Sequence, residues 1–351
     1  MPTQQTQQPV APKLPSGPGP VAAFTQPLGI GLLIALTFLL TYLAALHKPQ
    51  PHHLPVGVVA PPQAVAQLQR SLSTPTADAV ALRPVADATA ARHQVERGQT
   101  VAAYLPSQDG QVDRLLLAGA QGAAVTQTVT GIVTHAAAAH GQGTRLQVDD
   151  VVPLSAEDPR GFSGFYVVFG ITLAGFIFGQ TSHTYSRRLP LGRRLIQALL
   201  FAVLAGLAGA LVAGPLLGVL PGPLLALAGI LVLLALATGL VTMALTALLG
   251  DPGIVVATLL LVILGNATSG GVVASSFLPG GFRQLSPVLP AGAATQALGR
   301  VGYFDPRAAL GPVVVLAAWV LGGLLLVAVR GSRRPPPIAV PAESASVTPW
   351  P

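Results

Sequence analysis

The chain has 351 residues, 51% of them hydrophobic and 9% charged, with a formal net charge of +7 and no cysteine. Without cysteine there are no disulfides, thiolate metal sites or cysteine nucleophiles, and several apolar runs reach the roughly 20 residues a helix needs to cross a bilayer. An integral membrane protein is expected, and its basic excess sits beside apolar runs, where it orients spans and does not call for nucleic acid.

Residues 1–27 are rich in Gln, Pro and Gly and carry one charge, Lys13. They have no apolar period that could build a core, and read as a disordered cytoplasmic tail. Residues 28–46 form an uncharged run, the first span. It is longer than the roughly 7–15-residue apolar region of a signal peptide, and LAALHKPQ is a poor cleavage site, so an uncleaved anchor is expected.

Residues 47–163 change in character. Charged residues appear and the apolar runs shorten to strand length. Strands are expected at 54–59, 79–85, 100–105, 112–117 and 146–152, with helices at 62–72, after the N-cap Asp87, and at 123–139. The Ser-Gln-Asp-Gly turn at 107–110 separates the third and fourth strands. Alternating strands and helices argue for an extracytoplasmic α/β domain inserted between spans 1 and 2.

Residues 164–330 read as a five-span membrane domain, with spans at 165–180, 195–214, 224–249, 254–274 and 310–329. Pro215, Pro221 and Pro223 break the chain after the third of the six spans in all, and a GDPG turn at 250–253 ends the fourth. Gly175/Gly179 and Gly214/Gly218 are small-xxx-small patterns, taken as packing contacts. Between the last two spans, 276–308 is expected as an external re-entrant or interfacial segment, with Phe282, Leu285, Val288 and Leu289 at the spacing of an amphipathic turn. Residues 331–351 read as a second disordered tail.

Arginine placement sets the orientation. Arg187, Arg188, Arg193 and Arg194 lie between spans 2 and 3, and Arg330, Arg333 and Arg334 follow span 6. Six spans put both groups on one side, the cytoplasm by the positive-inside rule, with both termini inside and the α/β domain outside. Arg283, Arg300 and Arg307 fall outside, against the trend. The high Arg, Ala, Gly, Pro and Val content fits a GC-rich bacterial genome, hence a bacterial plasma membrane.

No GxxxxGK[ST] motif exists, and the only lysines are Lys13 and Lys48, so ATP-driven work needs a separate subunit. The six runs contain no Asp or Glu, which argues against self-sufficient proton coupling. Asp251 reads as a turn residue. His47, His52 and His53 are irregularly spaced for a metal, and His135 and His140 read as solvated. Ser163 in GFSGF lacks the nucleophile elbow. Asp149/Asp150 and Glu157/Asp158 read as a solvated connector. No catalytic residue and no cofactor is assigned.

Asn266, the one asparagine of the chain, opens a polar NATSGG stretch. A buried amide needs a partner and faces protein or water, not lipid. It serves either as helix-packing glue or as part of a permeation element near the outer face, and Asn266, Thr268 and Ser269 are the candidates for a pathway or dimer seam. The basic loop Arg187, Arg188, Arg193 and Arg194 is either a topology signal touching anionic lipid or a docking site for a cytoplasmic partner around Leu189, Pro190 and Leu191.

A first span, then LPVGVVAPP opening the outer domain, VDDVVPLSAEDPRGF leading into the second span, and NATSGG followed by FLPGGFRQLSPVLPAGAATQALG together resemble the type-2 ABC transporter permeases. More narrowly they are similar to the phage-infection-protein-like (YhgE/Pip) membrane proteins of Gram-positive bacteria, over roughly 28–330. The resemblance implies a permease subunit of an ATP-driven exporter that homodimerises and recruits a separate nucleotide-binding ATPase, with 183–194 where the two meet. The alternative it leaves is a non-transporting scaffold or surface receptor working through the outer domain.

Overall fold

The computed structural model describes residues 19–72, 78–107, 112–139, 145–186 and 189–331. The tails and the 107–110 turn lie wholly or mainly outside these residues, as do Arg187, Arg188 and His140.

The first helix, α1 (Pro20–Leu46), begins ahead of the apolar run at 28. Pro20 stands in its first turn, where a missing N–H costs nothing and a fixed φ suits the helix. The sheet lobe follows, with β1 (Leu54–Val59), α2 (Pro62–Ser71), β2 (Val80–Val85), α3 (Ala88–Glu96), β3 (Ala102–Leu105), β4 (Val112–Leu117), α4 (Ala123–Ala139) and β5 (Arg145–Asp150). The five strands run in the order β2-β1-β3-β4-β5. β1 pairs parallel with β2 and β3, and β4 pairs parallel with β5. Parallel neighbours need a crossover, which α2 supplies for β1–β2 and α4 for β4–β5. Only β3 and β4 are antiparallel.

Both faces of the sheet are covered. On one, Leu54, Val56, Val80, Leu115 and Leu117 pack with Val125 and Val129 of α4. On the other, Val85, Ala103 and Leu116 pack with Ala91 and Val95 of α3. Two-sided burial explains why β1 reads as an almost unbroken apolar run, LPVGVV. Asp87 caps α3 as expected, its Oδ1 accepting from the Ala90 N–H at 2.8 Å. Fully buried Leu and Val side chains are each worth about 1.5–3 kcal/mol, so this core follows the rules of a protein in water.

The helical body is built differently. Its long members are α5 (Ser163–Tyr185), α6 (Leu191–Leu211), α7 (Leu224–Leu249) and α11 (Leu310–Gly331). With α1, five helices among the described residues are long and apolar enough to cross a membrane. α7 is the axle: 61% of its most apolar stretch is buried, against 6% in α1. Thr238, Thr242 and Thr246 line one side of it, and each hydroxyl donates to a carbonyl one turn back, at 2.8–2.9 Å. Their satisfied hydroxyls let α5 come close. A Cβ on Gly179 would lie 2.6 Å from the Gly239 carbonyl, and one on Gly175 would strike Thr238. Gly206 of α6 and Gly323 of α11 meet Val232 and Leu240 of the axle in the same way. The Gly175/Gly179 pair thus packs within the chain.

Three expectations need correction. The third apolar helix does not stop at Gly214. A wider π turn, Val212–Leu216, absorbs Pro215 and carries the helix to Leu216, with the Leu217 N–H donating to the Val212 carbonyl. The fifth apolar run does not reach 274. It forms α8 (Asp251–Ala267), shorter than the other five. Gly270 has φ +76, which ends helical geometry by a conformation that favours glycine. The stretch 276–308 lies only in part on a surface. After a short helix α9 (Gly280–Leu285), Leu289 is buried while Val288 is exposed. Helix α10 (Pro290–Tyr303) then packs Ala291, Ala294, Ala297 and Leu298 into the core that holds Leu231 and Leu234 of the axle.

Candidate functional site

The site grows from the end of α8. Asp251 and Pro252 open this helix, where a carboxylate complements the helix dipole. A π segment, Thr258–Leu264, widens its middle, a feature often found at functional places. Asn266 is 95% buried, and its Nδ2 donates to the Tyr42 hydroxyl of α1 at 2.6 Å. Tyr42 in turn stacks on Phe38. The asparagine therefore ties the least buried apolar helix to the body. Thr268 spends its hydroxyl on the Leu264 carbonyl at 2.8 Å. Ser269 accepts from the Gly271 N–H.

Beyond Ser269 the chain opens into a cavity of about 460 Å³ at the junction of lobe and helical body. Ser269, Gly270 and Gly271 form one wall. The start of α5 (Phe162, Phe165) and Leu220 form a second. The first turn of α4 with Gln121, and α10 through Gln296, Arg300 and Tyr303, close the rest. Of the three sequence candidates, Asn266 in α8 and Thr268 and Ser269 just beyond it, Ser269 alone lines the cavity.

The cavity is held together by contacts that cross from lobe to body. Arg300 Nη1 donates to the Arg97 and Gly98 carbonyls (3.3 and 3.1 Å) at the end of α3, and its guanidinium lies over the Phe304 ring. Phe277 enters one sheet core, while Tyr303 and Phe304 enter the other. The backbone N–H groups of Gln50 and His52 donate to the Phe277 and Ser276 carbonyls. Burial raises the Tyr303 hydroxyl above its ordinary pKa; the Ser155 N–H opposes that shift and the charge of Asp158 adds to it. The phenol is accordingly neutral at physiological pH.

Of the four acidic residues before α5, Asp158 departs from the solvated connector expected there. Asp158 is buried, and its two oxygens accept from the Phe162 and Ser163 N–H groups at 3.2 and 2.8 Å. It satisfies donors that a helix start leaves open. Asp150 accepts from the Gly119 and Val152 N–H groups, and Asp149 pairs with Arg114 at 2.6 Å. Asp150 and Glu157 are the exposed members of the four. Ser163 presents its backbone N–H to Asp158. His47 turns back onto the Leu43 carbonyl, and among the described residues no three His, Asp or Glu gather as a metal site would require.

Arg193 and Arg194 stand in the first turn of α6, at the other end of the body. Arg193 is exposed and Arg194 half-buried. Leu189 and Pro190 beside them are exposed. Sequence reasoning did not select Arg160, Gln121 or Gln296 for the cavity. A usable signal did exist at Arg300, an arginine whose expected place ran against the general charge trend.

The arrangement can hold an anionic, partly apolar molecule by cations, amides and ring faces. No protein-family model matches the chain, and comparisons with curated proteins and with solved structures returned no match.

Proposed function

We propose that the chain is the membrane subunit of an ATP-driven exporter in a bacterial plasma membrane. It works as a homodimer with a separate nucleotide-binding subunit. In this reading α8 is the fifth of six spans, both termini and the basic turn before α6 are cytoplasmic, and the sheet lobe is outside.

The observation that carries the reading is the end of α8. An apolar helix with a widened middle is followed by Ser269, Gly270 and Gly271, which line a cavity shared with the lobe. Irregular backbone at membrane depth is tolerated where it is buried in protein or lines a water-filled space. The lack of a phosphate-binding loop assigns energy supply to another chain. Exposed Arg193 with Leu189 and Pro190 offers a charged surface with an apolar centre for that chain.

The test is co-purification from native membranes followed by reconstitution. An associated ATPase whose hydrolysis rises in proteoliposomes supports the exporter. A stable complex with other envelope proteins and no ATPase replaces it with a scaffold acting through the lobe.

A further inference from the structure

We infer that the junction cavity is a binding site for an anionic phospholipid: Arg160 and the first amides of α4 hold its phosphate, and the apolar part lies against Phe162, Phe165 and Leu220. The inference does not depend on transport. It requires only that the cavity end of the helical body lie at a membrane surface.

Depth is the first argument. α5 starts at Ser163, the third apolar helix ends at Leu216 and α8 ends at Ala267, and residues flanking all three ends meet at the cavity. Charged side chains (Asp158, Arg160, Arg300) appear at this level, next to long uncharged helices. That is the level of lipid headgroups, where basic pockets between helices bind them.

Charge is the second. Of the three charged residues lining the cavity, Asp158 has both carboxylate oxygens occupied by backbone N–H groups. Arg300 is engaged with the carbonyls at the end of α3. Arg160 is exposed and, among the described residues, has no hydrogen bond or ion pair. The charged lining, Asp158 against Arg160 and Arg300, keeps a net positive charge, and Arg160 is its one cation not already engaged. At the start of the 17-residue α4, the N–H groups of Ala123 and Ala124 add two donors, those of Val125 and Thr126 being taken by the Gly122 carbonyl. Gln121 and Gln296 add side-chain amides suited to phosphate oxygens.

Size and lining are the third. A volume of about 460 Å³ suits a headgroup with the beginning of its chains, within the roughly 300–1,000 Å³ of small-molecule sites. A free phosphate would leave the Phe162, Phe165 and Leu220 surfaces wet. A lipid covers them.

The test uses the full chain in detergent, titrated with phosphatidylglycerol, phosphatidylcholine or inorganic phosphate, with binding read by native mass spectrometry and by thermal midpoint. Phosphatidylglycerol is expected to bind about tenfold more tightly than phosphatidylcholine, which offers the same phosphate but brings a quaternary ammonium into a net positive lining. Arg160→Gln should lose about five- to tenfold in phosphatidylglycerol affinity, with Arg160→Lys retaining most of it. Gly299→Leu, whose added Cβ meets nothing within 4 Å, fills the cavity from a helix that tolerates leucine and should reduce binding of both lipids. Each variant should melt like the parent without lipid. Equal affinity for the two lipids, or an unchanged Arg160→Gln protein, overturns the inference. Inorganic phosphate binding as tightly as phosphatidylglycerol overturns it in favour of a free anion. Each result is read on the isolated chain, so failure here and failure of the exporter reading are separate events.

Discussion

The sheet lobe and the helical body bury their interiors with opposite residue choices. In the lobe, Leu54, Val56, Val80, Leu115 and Val95 fill the core, and large aliphatic side chains mark the inside. In the body, close contacts are made by Gly175, Gly179, Gly206 and Gly323 against Thr238, Gly239, Val232 and Leu240 of α7. Large aliphatics there also point outward: Leu32, Leu36 and Leu40 of α1 are all more than half exposed. Water expels apolar surface, so size and greasiness report burial in the lobe. Lipid does not, so in the body small residues and satisfied hydroxyls report it instead.

The contrast is sharpest at Gly179. Leucine there would drive a side chain into the Gly239 backbone 2.6 Å away, and backbone cannot move aside as a side chain can. A cost above about 3 kcal/mol is expected, seen as loss of monodisperse protein in detergent. In the lobe, the matching probe is the reverse change. Leu115→Ala removes a fully buried side chain and should cost about 3 kcal/mol, read by urea unfolding followed in the lobe's amide exchange. If Gly179→Leu is tolerated and Leu115→Ala is not, close helix packing is not what holds the body.

A smaller effect is expected at the tie between α1 and α8. Asn266→Leu removes the bond to Tyr42 and should weaken the attachment by about 1 kcal/mol, read as faster protease cleavage around 19–46. Leu36→Ala in α1 should leave stability unchanged, since that side chain is 55% exposed and trades one apolar surrounding for another.

Much of the lobe could be read in the sequence. The bounds of β1, β4 and α4 follow directly from apolar runs flanked by Pro, Gly and charge, as does the Asp87 cap. What could not be read was register and order, because β1 meets both β2 and β3 and nothing local in LPVGVV says so. In the body, hydropathy located the long helices and said nothing of which is central, since α1 and α7 are both apolar throughout. The Ala-rich face of α10 resembles a surface turn in sequence and becomes core only because α7 and α11 supply neighbours. The cavity was hidden for the same reason: its walls come from five separate stretches, and Arg160 looks like one more charge on a connector.

The smallest effect belongs to the lobe's rim. Arg114 and Gln147 hold the Asp149 carboxyl below its usual range. A depressed folded-state pKa contributes stability above the unfolded carboxylate pKa, and that stability is lost as pH falls through the folded value. The pair is exposed and salt-screened. Asp149→Asn should therefore slightly flatten the acid limb of lobe stability, and the difference should vanish in high salt.

The central claim is that the lobe and the basic turn lie on opposite sides of one membrane. The chain has no cysteine, so single cysteines at Ala64, exposed on α2, and at Gly192, where an added Cβ meets open space, can be compared with an impermeant thiol reagent. Labelling of Ala64→Cys in intact cells, with Gly192→Cys labelled only after lysis, is the expected result. Both sites labelling together in intact cells, or the reverse order, would contradict the account.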